Sequence, residues 1–492
     1  MKKITTLLLL TIGLTGWFPQ RASAQEVQVL TLEKALEIAY RNSPTLIKSK
    51  ITLEQNELSL VRQKAMLKSK FTLNLSPFSY RRQNNYSDYE SKNYTSRTMT
   101  SQGSLRIDQP IIWTGGSISL SEGLNWQDAS NQSQGGNSTS FYNELALTLT
   151  QPIFKYNELK MQLKEIEYQV EESKISNAIT QLNIETSVTN DFYSVYKSYK
   201  SLLNQQENYK QVKATYEMTK AQVEQDKRPK VDLLEAEVNL DNAEMSLANA
   251  QIEYESTKDN FKKLLGLSLD EDISVLPQTE FDSVHVDMNL AIKYALEQRM
   301  EIRQHNIAIE KGLLELIKTK AQDKFSGEIS ATVGLWNNSS NFTGAFQDLQ
   351  DKQDINLNVS IPIFDWGARK ASIRSTELSN ESNEIDLTEE RKGIIIAIRQ
   401  ICRSLPQLYK EIFIAKKSLE NTEILYDIKY QKYQSGEVSN KDLQDYQKNV
   451  TNAKETYTNT IIQYKQKLLE LKINTLWDFE TNTSYLPVNL LK

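Results

Sequence analysis

Two aspartates, Asp442 and Asp445, stand three residues apart in "GEVSNKDLQDYQ" (Gly436 to Gln447), and a third, Asp232, sits in the similar segment "KRPKVDLLEAEV" (Lys227 to Val238). Such a group offers negative charge that attracts cations and resists anions. A plainer use is also open, because Ser439 and Asp442 form the S-x-x-D arrangement that caps a helix start. Catalysis or metal binding would need further partners. The only histidines, His285 and His305, lie twenty residues apart, and Cys402 is the only cysteine. With no Cys/His cluster, no G-x-S-x-G elbow and no P-loop, the sequence gives no catalytic, cofactor-binding or metal-binding residues, and an enzyme is not expected.

The elements that carry these aspartates must be long. Only 16 glycines and 10 prolines punctuate 492 residues, so extended helices are expected rather than several small domains. Lys and Arg total 58 against 63 Asp and Glu, with no basic tract of the kind that follows phosphates, which argues against nucleic acid as a partner. Residues 1–24 have the layout of a cleavable secretory signal: Lys2 and Lys3, an apolar run from Ile4, then Ala22-Ser23-Ala24. Its removal takes three basic residues and moves the net charge from -5 to -8. A single cysteine permits no disulfide framework. No later stretch of 18 apolar residues exists, so a membrane span, if there is one, must be a β-barrel.

The chain is a duplication. Shifted by 256, "LTLEKALEIAYRNSPTL" (Leu30 to Leu46) falls on "VDMNLAIKYALEQRMEI" (Val286 to Ile302), and the register runs on through Ala65/Ala321. Farther along the shift is 210: "QPIF" (Gln151 to Phe154) meets "IPIF" (Ile361 to Phe364), Asp232 meets Asp442, and Tyr254 meets Tyr464. The first copy carries 46 additional residues between the two registers. Repeat 1 is therefore expected over 25–275, with a helix at 31–66, strands and loops at 69–154, a long helix at 155–226 and a tip helix at 229–265. Repeat 2 is expected over 276–480, with a helix at 287–322, strands at 327–364, a long helix at 365–436 and a tip helix at 439–473, before a tail at 481–492. From Leu233 the apolar or small residues run 233, 236, 240, 243, 247, 250 and 254, the alternating steps of three and four of a coiled-coil seam, and Leu443 to Tyr464 keep the same phase. Pro406 falls inside the second long helix, where it is expected to bend or interrupt it.

Between the helices the period changes to two. Ile329, Ala331, Val333 and Leu335 alternate with small and polar residues, as do Ile355, Leu357, Val359, Ile361 and Ile363. "FTLNLSPF" and "NELALTLTQPIF" match them in the first copy, giving four strands. Two further alternating runs around Gly115-Gly116, residues 104–127, read as an additional hairpin. The segments 81–97 and 127–140 read as exposed loops, and Tyr80, Trp113, Trp126 and Trp336 as interfacial aromatics. Alternation with one apolar face fits either a membrane barrel or a buried sandwich. Two strand pairs joined to helices of roughly 100 Å favour a barrel shared by several chains.

These residues resemble the TolC family of outer-membrane channel-tunnels. "LTLEKALEIAYRNSPTL" is similar to that family's N-terminal helix, "QPIF" and "IPIFDWG" to its strand-to-helix junctions, and "VDLLEAEVNLDNAEMSLANAQIEYESTKDNFKKLLG" to its tip helix, over Leu30 to Trp477. The resemblance implies an α+β membrane protein: a homotrimer with a twelve-stranded barrel, four strands per chain, among outer-membrane lipid, and a coiled-coil tunnel through the periplasm. It implies a passive exit duct that takes cargo from an inner-membrane pump of RND or ABC type through a periplasmic adaptor, the membrane fusion protein, in efflux or type I secretion. By the family pattern Asp232, Tyr433, Asp442 and Asp445 belong to the periplasmic gate. Where the family can carry a gate arginine this sequence has Val438, and Arg228 takes the corresponding place in the first copy. The adaptor is expected at the tips, Tyr216 to Leu234 and Leu425 to Leu443. The competing reading is an exported coiled-coil scaffold or adhesin whose strands form a soluble β-sandwich.

Overall fold

The computed structural model describes residues 28–87, 91–131, 136–277, 282–322 and 324–485; the leader expected at 1–24 lies outside them, and so does the tail after Tyr485. In chain order the elements are β1 (Gln28–Leu30), α1 (Leu32–Asn42), α2 (Pro44–Met66), β2 (Lys70–Ser87), β3 (Lys92–Ile111), β4 (Gly116–Asn131), β5 (Gly136–Ile153), α3 (Glu158–Glu224), α4 (Lys230–Leu265), β6 (Ile273–Val275), α5 (Met288–Gln298), α6 (Met300–Ala321), β7 (Ser326–Ser339), a 3-10 turn (Thr343–Phe346), β8 (Gln350–Ser360), α7 (Ala368–Gln434), α8 (Asn440–Thr475), β9 (Trp477–Asp478) and β10 (Thr483–Ser484). The chain divides into two compact units, 1–42 with 188–279, and 43–187 with 280–492.

In the first unit β1 pairs in parallel with β6, Leu30 opposite Val275. The seam read from the sequence holds in α4: Ala236, Ala243 and Phe261 are buried, and Leu233, Leu240, Leu247, Ala250, Tyr254 and Leu264 are half-buried. It packs on the C-terminal part of α3, where Phe192 meets Phe261 edge to face at 6.2 Å and Tyr199 meets Tyr254 at 5.6 Å. Gly266 ends α4 in the left-handed conformation (φ 71°), its N–H bonded to Lys263 O. Lys258, buried on α4, pairs with Asp272 at 2.7 Å and Glu255 at 3.2 Å.

The core of the second unit is built on the heptad of α7. Ile394, Ile398, Ile401, Leu405 and Ile412 are buried against Ala291 and Ala295 of α5 and Tyr464, Leu468 and Leu471 of α8. Pro406 lies in this run, yet α7 is continuous from Ala368 to Gln434, so the expected interruption does not occur. Proline leaves the Cys402 carbonyl without its N–H partner, and the buried residues on both sides hold the helix through that gap.

The helices expected over 31–66 and 287–322 each divide in two. The breaks fall at equivalent places, Ser43 (φ −58°, ψ 120°) and Arg299 (φ −63°, ψ 128°). Pro44 accounts for the first, because it pushes the residue before it into the extended region. At the second, Met300 replaces proline, and Arg299 holds the break by donating to Glu301 at 2.7 and 3.1 Å and to Asn474 at 3.1 Å.

Six strands form one sheet in the order β2-β3-β4-β5-β7-β8, each neighbouring pair antiparallel. The additional hairpin is part of it as β3 and β4, turning at Gly115 (φ 75°), and the expected four strands per chain become six. Most of 81–97 and 127–140, read as loops, is strand: β2 runs to Ser87, β3 starts at Lys92, β4 runs to Asn131 and β5 starts at Gly136. These ends lack alternation because both faces there are polar, while the backbone ladder continues.

Candidate functional site

The sequence points to two helical turns. In the first unit, the turn after α3 closes at Asp226, which takes the left-handed conformation (φ 53°); its N–H reaches Val223 O at 3.0 Å and the Lys227 N–H reaches Gln222 O at 2.9 Å. This pair of bonds is a Schellman closure. Pro229 then stands at the N-cap of α4 with no side-chain cap, and Arg228 bridges to Asp232 at 3.2 Å, both side chains largely buried. The first copy's acid and its base are therefore an intramolecular ion pair.

In the second unit the same closure forms at Gly436 (φ 82°): its N–H reaches Tyr433 O at 3.1 Å, and the Glu437 N–H reaches Lys432 O at 2.9 Å. Tyr433 is fully buried. Ser439 caps α8, its Oγ accepting from the Asp442 N–H at 3.1 Å and donating to the Asp442 carboxylate at 2.8 Å. The capping reading of Asp442 is thus realised in the structure. Asp442 and Asp445 are exposed. Nearby, Lys429 Nζ lies 5.0 Å from the ring centre of Tyr446.

The sheet supplies the second feature. Residues directly opposed across strands share a face, and one face is apolar: Leu73 opposes Leu105, Ile107 opposes Leu120, Leu120 opposes Leu147, Leu147 opposes Val333, and Ala331 opposes Ile355. A bulge at Pro77 on edge strand β2 shifts the register between Ser76 and Ser79 and brings Tyr80 onto that same face. This face is uncovered, with Leu73 64% and Ile355 79% exposed. Glu122, between Leu105 and Leu145, is an acid on it.

The opposite face is polar and carries two clusters that the sequence reading did not single out, since only the cross-strand register brings their members together. Asp108 accepts from Arg106 at 2.8 Å and from Ser119 at 2.6 Å; Glu144 accepts from Lys352 at 2.6 Å and from Tyr142 at 2.7 Å. At its helix-proximal end a cleft of about 660 Å³ is lined by Thr150, Lys155, Glu158, Glu328 and Asn358, among others. Aromatic residues mark both ends of the apolar band. Phe154 packs on Phe325 and Phe364 on Trp366 near the helices, with Trp113 exposed, and Phe141 and Phe346 flank Phe342 at the far end; Trp336, expected as an interfacial aromatic, instead lies opposite Glu144 on the polar face, where it meets Tyr142. In membrane barrels the lipid-facing wall is an apolar band about 25 Å tall between aromatic girdles. No helix among the described residues is long and apolar enough to cross a membrane.

Residues 117–267 and 292–473 match the outer membrane efflux protein family, one stretch in each repeat. The chain belongs to that family. Among solved structures it is similar in fold to the CmeC outer membrane channel of Campylobacter jejuni (TM-score 0.69, 15% identity, 94% of this chain and 88% of that one). It is also similar to the outer membrane protein VceC of Vibrio cholerae (0.65, 14%, 92% and 96%) and to the MtrE outer membrane channel of Neisseria gonorrhoeae in its open state (0.64, 14%, 90% and 88%). No curated relative matches the sequence. As an outer membrane efflux protein the chain is a component of the outer membrane. The sandwich reading needs a second sheet over the uncovered apolar face. Among the described residues the other sheets are only the short pairs β1-β6 and β9-β10.

Proposed function

We propose that this outer membrane efflux protein is the passive exit duct of a tripartite efflux or type I secretion assembly, exported by cleavage after residue 24 and working as a homotrimer. An inner-membrane pump of RND or ABC type would deliver cargo through a periplasmic adaptor that docks at Tyr216 to Leu234 and Leu425 to Leu443. The observation that carries the reading is the six-stranded sheet with one uncovered apolar face and one polar face, continued by helices of 67 residues. In lipid the outer edges of β2 and β8 must find partners, which favours several copies around one lumen.

Asp232, Tyr433, Asp442 and Asp445 are proposed as gate residues, with unequal parts. Arg228 neutralises Asp232, and Ser439 engages Asp442. Asp445 carries exposed charge, and three copies with two acids each would make the constriction cation-selective. Buried Tyr433 anchors the turn that must move when the duct opens. The test is single-channel conductance of purified protein in a planar bilayer, wild type against Asp442→Ala with Asp445→Ala. Small cation-selective openings that lose selectivity in the double variant support the duct and its acidic gate. Unchanged selectivity keeps the duct and leaves the acids as helix caps. Absence of conductance from protein that stays soluble without detergent refutes the duct.

A further inference from the structure

The internal duplication relates not only elements but also strand pairings. Under the shift of 256, β7 corresponds to β2, so that Gly327, Ile329 and Ala331 fall on Phe71, Leu73 and Leu75. Under the shift of 210, β8 corresponds to β5, so that Val359, Ile361 and Ile363 fall on Leu149, Gln151 and Ile153. In the sheet β5 pairs with β7 in the register Leu149–Ala331, Gln151–Ile329 and Ile153–Gly327. The equivalent pairing, β8 with β2, is missing within one chain, since these two strands are the outer edges.

A second observation bears on the same edge. Apolar alternation continues past the end of β8 through Ile361 and Ile363, which are 63% and 94% exposed, while the equivalent residues of β5, Gln151 to Ile153, are in strand because β7 lies beside them. Residues 361–363 have the sequence of a strand and lack a neighbour to pair with.

We infer that β8 of one copy pairs with β2 of the next in the register Val359–Leu75, Ile361–Leu73 and Ile363–Phe71, closing three chains of six strands into an eighteen-stranded barrel. The strand directions agree: six alternating strands leave β8 antiparallel to the following β2. The faces agree as well, because all six residues continue the apolar face. Pro77, which has no N–H to give, falls at the bulge just beyond the paired stretch. Strands about 4.8 Å apart and tilted by about 40° each occupy about 6 Å of circumference, so eighteen give a backbone diameter of about 36 Å, against about 24 Å for the twelve strands that four per chain would supply. Among the lumen-facing charges, Arg106 is paired with Asp108 and Lys352 with Glu144. The hairpin β3–β4 therefore makes the outer mouth wide, suited to bulky hydrated cargo.

This inference rests on the trimeric duct reading, and the experiment separates the two. In a Cys402→Ser background, Ile361→Cys is combined with Leu73→Cys, and separately with Leu75→Cys or Phe71→Cys as slipped controls. Native mass spectrometry in detergent reports the copy number. Opposed Cα atoms lie about 5 Å apart, whereas a slip of two residues moves them beyond about 7 Å, where no disulfide closes, so the in-register pair should oxidise to a covalent trimer at least about tenfold faster. Equal rates, or faster linking in a slipped pair, in a protein that remains trimeric overturn the register and leave the duct standing; a monomer overturns the duct reading as well. For the width, neutral polymers of graded size applied from the outer side should enter the wild-type mouth and be excluded from a variant lacking residues 92–131, which has four strands per chain. Equal polymer cut-offs in two trimeric proteins overturn the eighteen strands. Should the deletion variant not assemble, a projection image of the wild-type barrel decides between the two diameters.

Discussion

Asp226 and Gly436 occupy the same place in the two repeats, 210 residues apart, and both adopt the left-handed backbone (φ 53° and 82°) inside the same pair of closing hydrogen bonds. Glycine adopts this conformation without strain, whereas a side chain there costs about 1–2 kcal/mol. Asp226→Gly should therefore raise stability by up to about 1 kcal/mol, part of the gain being offset by the greater freedom of an unfolded glycine. Gly436→Ala should lower it by about 1 kcal/mol. Thermal unfolding in detergent measures both, and shifts of the same sign would contradict the shared closure.

Capping and field can be separated at the second turn. Ser439→Ala removes the acceptor for the Asp442 N–H and should cost about 1 kcal/mol locally, speeding amide exchange at the start of α8 while cation selectivity stays as it was. Asp445→Asn should do the reverse, reducing selectivity and leaving exchange at residues 440–443 unchanged. If Ser439→Ala alone abolished selectivity, the carboxylates would act only through the cap.

The coiled-coil seam was legible because burial on α4 repeats every three and four residues, and the duplication because its spacing survived substitution. The break at Arg299 was not legible. Pro44 announces the first break, but the second depends on an arginine meeting Glu301 and Asn474, one of them from a distant helix. Pro406 does not interrupt α7, whose buried heptad runs on both sides of it. Strand ends were lost where both faces are polar, since period two is visible only when one face meets lipid or core. At the proposed gate, the sequence placed Asp232 and Asp442 as equivalents, yet their surroundings differ, one paired with Arg228 and the other with Ser439.

The joint between α3 and α6 should weaken in acid. Arg303 donates twice to Glu171, at 2.7 and 3.1 Å, and once to Glu310 at 2.9 Å. Hydrogen bonding to Arg303 holds the Glu310 carboxyl below the usual carboxylate range, and the same carboxylates raise the guanidinium further above its already high value. A carboxyl with a depressed folded-state pKa adds stability that is full above its unfolded value and lost as pH falls through the folded one. Unfolding followed between neutral pH and pH 3 should show this loss, and Glu310→Gln should flatten the profile. An unchanged profile in the variant would show that Glu310 contributes nothing to the joint. Because the groups are partly exposed, the effect should also shrink in high salt.

Leu147 and Thr148 are neighbours in β5 that face opposite ways, Leu147 opposed by Leu120 and Val333, and Thr148 sharing a hydrogen bond of 3.0 Å with Thr332. If the apolar face meets lipid, Leu147→Arg should cost about 2–4 kcal/mol, the penalty for a cation near the bilayer midplane. Thr148→Arg points into a wet lumen, so its cost should be limited to the lost hydrogen bond, about 1 kcal/mol. Glu122 supplies the converse: an acid already on the lipid face between Leu105 and Leu145, so Glu122→Leu should stabilise the assembled protein. A soluble sandwich would also suffer from Leu147→Arg, and lipid must therefore be part of the measurement. Cysteines placed at 147 and 148 and labelled with a fluorophore should differ in quenching by brominated lipid, strongly at 147 and weakly at 148. Equal quenching at the two positions would mean that the apolar face does not meet the bilayer.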